Sequence, residues 1–210
     1  MGRNLGSLCK ICRRSGMKLF LKGLRCGTEK CAFAKRPYPP GMHGKLQQTK
    51  QSYYALQLRE KQKVKSMYGL LERQFRRFFS LASHSKGATG RVLIQLLERR
   101  LDNVIYRALF AFSRSQARQF VRHGFIFKGN RRIDIPSYLV NEGEVFEIRA
   151  KDNVIKMIKE NIDINSKGRS VSQWLTVDKS NLKIEIIKLP QREDLGLPIN
   201  EQLIVELYSK

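Results

Sequence analysis

Four residues of this chain suit soft-metal chemistry, and they stand close together. Cys9-x2-Cys12 is followed after thirteen residues by Cys26-x4-Cys31, and no cysteine occurs after that. Each close pair can grip one edge of a tetrahedral ion, while the loop carries the chain from one edge to the other. The spacing is near the double C-x2-C zinc pattern, with a looser second knuckle. Cys9, Cys12, Cys26 and Cys31 are therefore expected to hold one zinc ion, with an iron–sulfur cluster as the alternative. Disulfides are disfavoured, because Met1–Leu8 offers no apolar h-region of a secretory signal and a cytoplasmic setting is expected. With four protein ligands no position is left for activating water, so the metal's role is structural. A basic segment poor in apolar residues cannot fold on burial alone, and metal binding supplies the missing free energy.

A second chemistry is written in the charge. The chain has 210 residues, 41 Lys+Arg against 18 Asp+Glu, and a net charge of +23. Residues 1–50 hold 12 Lys+Arg and a single acid, Glu29; residues 51–100 hold 11 and 3. By contrast, residues 151–210 hold 10 and 9 and are close to neutral. A fifty-residue window with one acid repels itself unless a polyanion neutralises it. Nucleic acid is the expected partner. An anionic membrane is not, since no basic amphipathic helix with a Trp/Phe face is present. Around the thiols, Arg3, Arg13, Arg14 and Arg25 form part of a basic knob. The connector Lys35-Arg36-Pro37-Tyr38-Pro39-Pro40-Gly41-Met42-His43-Gly44 follows; its cations, Tyr38 and His43 offer charge and stacking to a strand. Further along, Arg114, Arg118 and Arg122 recur every four residues and span only about 80° of a helix surface. Like charges at that spacing repel, so the stripe is expected to be exposed and to lie across phosphates.

The elements that must position these groups follow from periodicity. Residues 50–83 read as helical with a break near Gly69, and Leu70, Leu71, Phe75, Phe78 and Phe79 form a core face. Leu93, Leu96, Leu97, Leu101, Val104, Ile105 and Ala108 keep to another helical stripe, with a break expected near Asp102-Asn103. Thr89 and Ser113 are expected N-caps. The helix that Ser113 opens buries Ala117, Phe120 and Val121 and ends at His123-Gly124. Phe125–Phe127, a Lys128-Gly129-Asn130 turn, a strand through Ile133 and a third at Val145–Ile148 give a small antiparallel sheet. Residues 166–172 read as polar loop, with strand-like alternation in Trp174–Val177 and Leu182–Leu189. Asn200 caps a last amphipathic helix that must dock on residues 50–110.

The fold class is thus α+β: an N-terminal metal knuckle, a mostly helical body closed by the C-terminal helix, and an inserted helix-plus-antiparallel-sheet unit. The expected division is 1–45 (knuckle and connector), 46–98 with 190–210 (body), 99–165 (RNA-binding domain) and 166–189 (adjoining loop and strands). Lys86–Gly90 is no P-loop, because no Gly-Lys-Ser/Thr ends it. An enzyme is not expected either: Arg100-Leu101-Asp102 echoes the Arg-Leu-Asp of pseudouridine synthases, but no length remains for their catalytic domain. A duplex-DNA regulator lacks its recognition helix and dimer seam.

Leu101-Asp102-Asn103-Val104, Ser113–Val121 and His123-Gly124 resemble the small RNA-binding fold of many translation and RNA-modification proteins. The cysteine knuckles, Arg36–Gly41, Leu58–Lys63, Tyr68-Gly69, Leu71–Phe75, Leu96–Asn103 and Leu203–Lys210 extend the resemblance over nearly the whole chain to one family, the fourth protein of the bacterial small ribosomal subunit (the S-four family). The resemblance implies a ribosomal, non-enzymatic 16S rRNA binder that nucleates assembly of the subunit body. It implies small-subunit neighbours, among them the S-five protein with which members influence decoding accuracy, and no homo-oligomer. It places the basic connector near the mRNA entry channel, with Lys45 and Lys50 as contacts. Besides the residues above, Arg59, Lys61, Lys63, Arg73 and Arg76 of the helical segment, Gln116 and His123 beside the arginine stripe, and Lys128 and Asn130 of the turn are the expected RNA-binding set.

Overall fold

The computed structural model describes all residues except Met1, Arg3, Leu5, 46–49, Gln51, Leu197 and Lys210. The chain forms two compact units, Met1–Leu93 with Pro198–Lys210, and Ile94–Leu197. The division falls inside one helix, α5 (Thr89–Glu98), which begins at Thr89 itself.

In the first unit, α1 (Leu8–Ser15) and α2 (Ala32–Lys35) flank a 3-10 turn at Gly23–Cys26. Ser52 opens α3 (Tyr53–Met67) by accepting the Ala55 N–H at 3.3 Å. The expected break at Gly69 separates α3 from α4 (Glu72–Ser83), and Phe75 and Phe78 bury as the periodicity requires. The last helix, α9 (Glu201–Tyr208), is capped by Asn200, which accepts from Gln202 N–H at 3.1 Å. It docks along α3, buries Ile204, and stacks Tyr208 on Phe79 with ring centroids 4.4 Å apart. Gly90 is required by close approach: a Cβ there would sit 2.7 Å from the Glu201 Cβ.

The second unit has a sheet of five strands in the order β2-β1-β3-β5-β4, every pair antiparallel. These are β1 (Ile126–Lys128), β2 (Arg131–Ile133), β3 (Val145–Ile148), β4 (Leu175–Asp178) and β5 (Lys183–Ile186). The sheet is thus larger than the three strands expected, because β4 and β5 continue it instead of merely adjoining it. Ile126 faces Ile133 and Ile148 in register, and with Phe146, Ile184, Ile186 and Trp174 they form one core beneath α6 (Leu101–Arg107) and α7 (Arg114–Arg122). The helix break lies at Arg99-Arg100, earlier than expected. There the Tyr138–Val140 segment intervenes, with Val140 N–H donating to Arg99 O and Leu101 N–H to Tyr138 O, both at 2.9 Å.

The sequence reading omitted α8 (Asp152–Ser166). Its apolar face, Val154, Ile155, Ile158 and Ile162, is interrupted by Asn161 and Asn165, which look like surface residues. Both are buried, because the turn after α6 needs them. Leu109 lies there at φ 69°, and its carbonyl and those of Phe110 and Ala111 accept from the two amides at 2.8–3.3 Å. Burying an amide is favourable only where it satisfies such orphaned groups.

Candidate nucleic-acid interface and cysteine site

Ser113 seats α7 by accepting from Gln116 N–H at 3.3 Å, while Gln116 Oε1 accepts from Phe112 N–H at 2.8 Å. Gln116 therefore serves the helix start. At the other end Gly124, at φ 73°, closes a left-handed cap in which Phe125 N–H donates to Phe120 O and Gly124 N–H to Val121 O. The arginines between these caps depart from expectation. Arg114 and Arg118 are not freely exposed; their side chains retain 13% and 11% of their accessibility. The missing acids come from other helices. Arg118 Nη1 lies 3.5 Å from Asp102 Oδ2, and Asp102 also takes two hydrogen bonds from the buried Arg100, at 3.1 and 2.6 Å. Burial lowers the Arg118 guanidinium pKa, with Asp102 acting against it. Arg114 Nε donates to Asn103 Oδ1 at 2.7 Å, and its guanidinium lies 4.5 Å from the Tyr106 ring centroid. Asn103 in turn donates to Glu98 at 2.7 Å, and Arg107 grips both Glu98 oxygens at 2.9 Å. Only Arg122 is exposed as expected, and His123 beside it packs edge-on against Phe125.

The composite is four guanidiniums, Arg100, Arg107, Arg114 and Arg118, sharing two buried carboxylates, Glu98 and Asp102. These six side chains carry two surplus positive charges in low dielectric, an arrangement stabilised by an anion laid across it. Sequence reasoning missed Glu98, Asn103 and Arg107 as members. One signal was available: Glu98 and Asp102 are the only acids between Arg73 and Ile133. In the neighbouring turn Asn130 is exposed, but Lys128 is held 2.7 Å from Glu144, which also accepts from Tyr138 Oη.

In the first unit the expected contacts divide similarly. Arg14, Arg25, Lys35, Arg36, His43, Lys45, Lys50, Arg73 and Arg76 are exposed, and Arg59 is half-buried. Arg13 instead pins the connector to α1, donating to Tyr38 O at 2.9 Å and Pro39 O at 3.1 Å while covering the Tyr38 ring. Lys63 is buried, joins Glu60 at 2.7 Å and donates to Pro198 O at 2.8 Å, so it anchors the approach to α9. Lys61 donates to Glu72 at 2.7 Å, as Lys65 does at 2.9 Å. Arg3 lies outside the described residues.

All four cysteines are free thiols and line one cavity of ≈ 20 Å³. Lys22 N–H donates to Cys26 Sγ at 3.4 Å. The backbone N–H groups of Ala34 and Phe33, at the start of α2, pull the Cys31 thiol pKa down, whereas burial pushes that of Cys12 up. Among the described residues, however, no group of three or more His, Cys, Asp or Glu side chains stands as a finished metal centre. The four thiols have the chemistry of a metal donor set, but the expected metal knuckle is not shown.

The acids that might be read as catalytic are structural. Asp102 is an arginine partner. In the polar cavity of ≈ 470 Å³ beside Arg107, Ser172 and Lys188, Asp194 accepts from Gln191 N–H at 3.0 Å. Among the described residues no helix is long and apolar enough to cross a membrane.

Residues 3–98 match the family described as ribosomal protein S4/S9 N-terminal domain, and residues 99–146 match the S4 domain. Across its whole length, and the whole length of each relative, the chain is 51% identical to the small ribosomal subunit protein uS4 of Thermus thermophilus and 53% identical to that of Thermodesulfovibrio yellowstonii. The uS4 protein of Caldicellulosiruptor saccharolyticus is 54% identical over 212 aligned positions, again with full coverage of both.

Proposed function

The chain belongs to the ribosomal protein S4 family, and on that premise we propose that it is a non-enzymatic structural constituent of the small ribosomal subunit, in the cytoplasm with the ribosome, that binds 16S rRNA directly. The observation that carries the binding role is the guanidinium surplus around Glu98 and Asp102, with Arg122 and His123 exposed at the end of the same helix. Phosphate contacts of this kind fix a protein's position without reading sequence, and structured RNA is recognised largely through shape and backbone. The exposed cations of the knuckle, connector and α4 supply the remaining contacts. Binding of the isolated 5′ domain of 16S rRNA tests this. With about 6–10 phosphates neutralised, affinity is expected to fall about 10³–10⁵-fold between 50 and 200 mM salt, on the duplex-DNA scale. A flat salt response overturns the reading.

The resemblance to the family supports three finer roles: nucleating assembly of the subunit body, contact with the S-five protein in a surface that affects decoding accuracy, and contact of Lys45 and Lys50 with mRNA. It also supports the absence of a homo-oligomer.

For the cysteine site the proposal is one structural zinc ion held by Cys9, Cys12, Cys26 and Cys31. The support is chemical: four thiols line one cavity, their spacing is near the double C-x2-C zinc pattern, and together they complete a tetrahedral set. Zinc bound there supplies folding free energy to the knuckle. Metal analysis of chain purified under reducing conditions is expected to find one zinc, lost on joint replacement of Cys9 and Cys12 by Ser. Iron, two metals or none contradicts the assignment.

A further inference from the structure

Phe20 stands at φ 51° with its side chain half exposed. A bulky L-residue adopts that left-handed backbone only when its surroundings impose it, and such strain gathers at functional positions. Here the imposing contacts are visible. On one side Leu19 is buried. On the other, Lys22 N–H is bonded to the Cys26 sulfur. The backbone is held by the buried Leu19 side chain before it and by the sulfur contact after it, and the ring between them is exposed. Within five residues of it in sequence Lys18, Lys22 and Arg25 are exposed, and Leu24 adds further exposed apolar surface.

We infer that Phe20 is a base-stacking residue: the knuckle turn presents its ring to an unpaired rRNA base, with the flanking cations on the adjacent phosphates. The inference rests on the rRNA-binding reading above and names an aromatic contact within it. Sequence-tolerant binding of single-stranded segments combines a cationic surface with aromatic rings on which bases stack. A strained backbone that exposes an apolar ring amid cations is stabilised once a base covers that ring. A merely solvated loop would place a polar residue or glycine at this φ.

The test measures binding of the full chain to the 5′ domain of 16S rRNA, with melting temperature and metal content as controls. Phe20→Gly removes the ring and also relieves the positive φ, so its melting temperature is expected to equal or exceed that of the wild type. Its RNA affinity is expected to fall about 5–150-fold, the range for loss of one base–aromatic stack, with an unchanged salt slope. Phe20→Trp is expected to restore affinity, and its fluorescence to be quenched by RNA. Wild-type RNA affinity in Phe20→Gly overturns the inference, and if that variant then enters the subunit poorly, the ring belongs to a protein neighbour. Early melting or metal loss in Phe20→Gly without rescue by Trp makes the ring a structural plug and overturns it too. A wild-type chain lacking salt-dependent affinity overturns the rRNA-binding reading together with this one, whereas normal binding by Phe20→Gly overturns this one alone.

Discussion

Glu98 is wholly buried, and its charge is tolerated because Arg107 grips both oxygens and Asn103 adds a third bond. Removing one partner of such a pair costs far more than the pair contributes, since the remaining charge stays desolvated. Arg107→Ala is therefore expected to destabilise the second unit by about 3–5 kcal/mol in denaturant titration. Arg122→Ala, at an exposed position, should leave stability within about 0.5 kcal/mol and instead weaken rRNA binding, lowering the salt slope by about 0.7–0.9. Arg114 and Arg118 fall between these extremes. Replacing either with Ala is expected to lower both stability and affinity, because each touches the buried acids and faces the candidate phosphate surface. Loss of stability alone in Arg118→Ala would reduce that arginine to an internal ion pair.

Docking of α9 depends on a polar hub as much as on its apolar face. Burial alone would raise the Glu72 pKa, but hydrogen bonds from Lys61, Lys65 and Tyr208 outweigh it and hold the carboxyl at about 2. The free carboxyl titrates near 4.5. A folded pKa below the unfolded one gives stability that is complete above pH 4.5 and is lost as pH falls toward 2. The side chain is 46% exposed, so solvent screening limits the effect to about 1 kcal/mol. Wild type is expected to melt above Glu72→Gln at pH 7 and level with it near pH 2; a gap that survives acid would locate the hub's contribution elsewhere. A second element-scale test concerns α8. Asn165→Ala strips donors from the buried carbonyls of Leu109 and Ala111, and about 1–3 kcal/mol of stability is expected to go with them.

At the scale of the whole molecule, the four thiols lie near the start of the first unit, while the second unit has its own core around Trp174 and Phe146. Chelation under reducing conditions is accordingly expected to raise amide exchange across residues 8–36 and to leave protection of the five-stranded sheet unchanged. Loss of protection in the sheet would mean that the knuckle supports more than itself.

Local rules made much of this protein legible from the chain alone. The 3.6-residue stripes placed α3 to α7, the Ser113 and Asn200 caps follow from side-chain oxygens meeting orphaned N–H groups, and the thiol spacing brought four cysteines to one cavity. The basic N-terminal half and its motifs identified the family, because charge and motif are properties of sequence order. What sequence order does not carry is which distant groups meet. The acids that claim Arg114 and Arg118 lie on α5 and α6, the carbonyls that bury Asn161 and Asn165 lie some fifty residues upstream, and β5 joins β3 across an intervening helix. Each was settled by packing, since a buried polar group takes its partner from whatever the fold brings within hydrogen-bonding reach, and only the folded chain defines that reach.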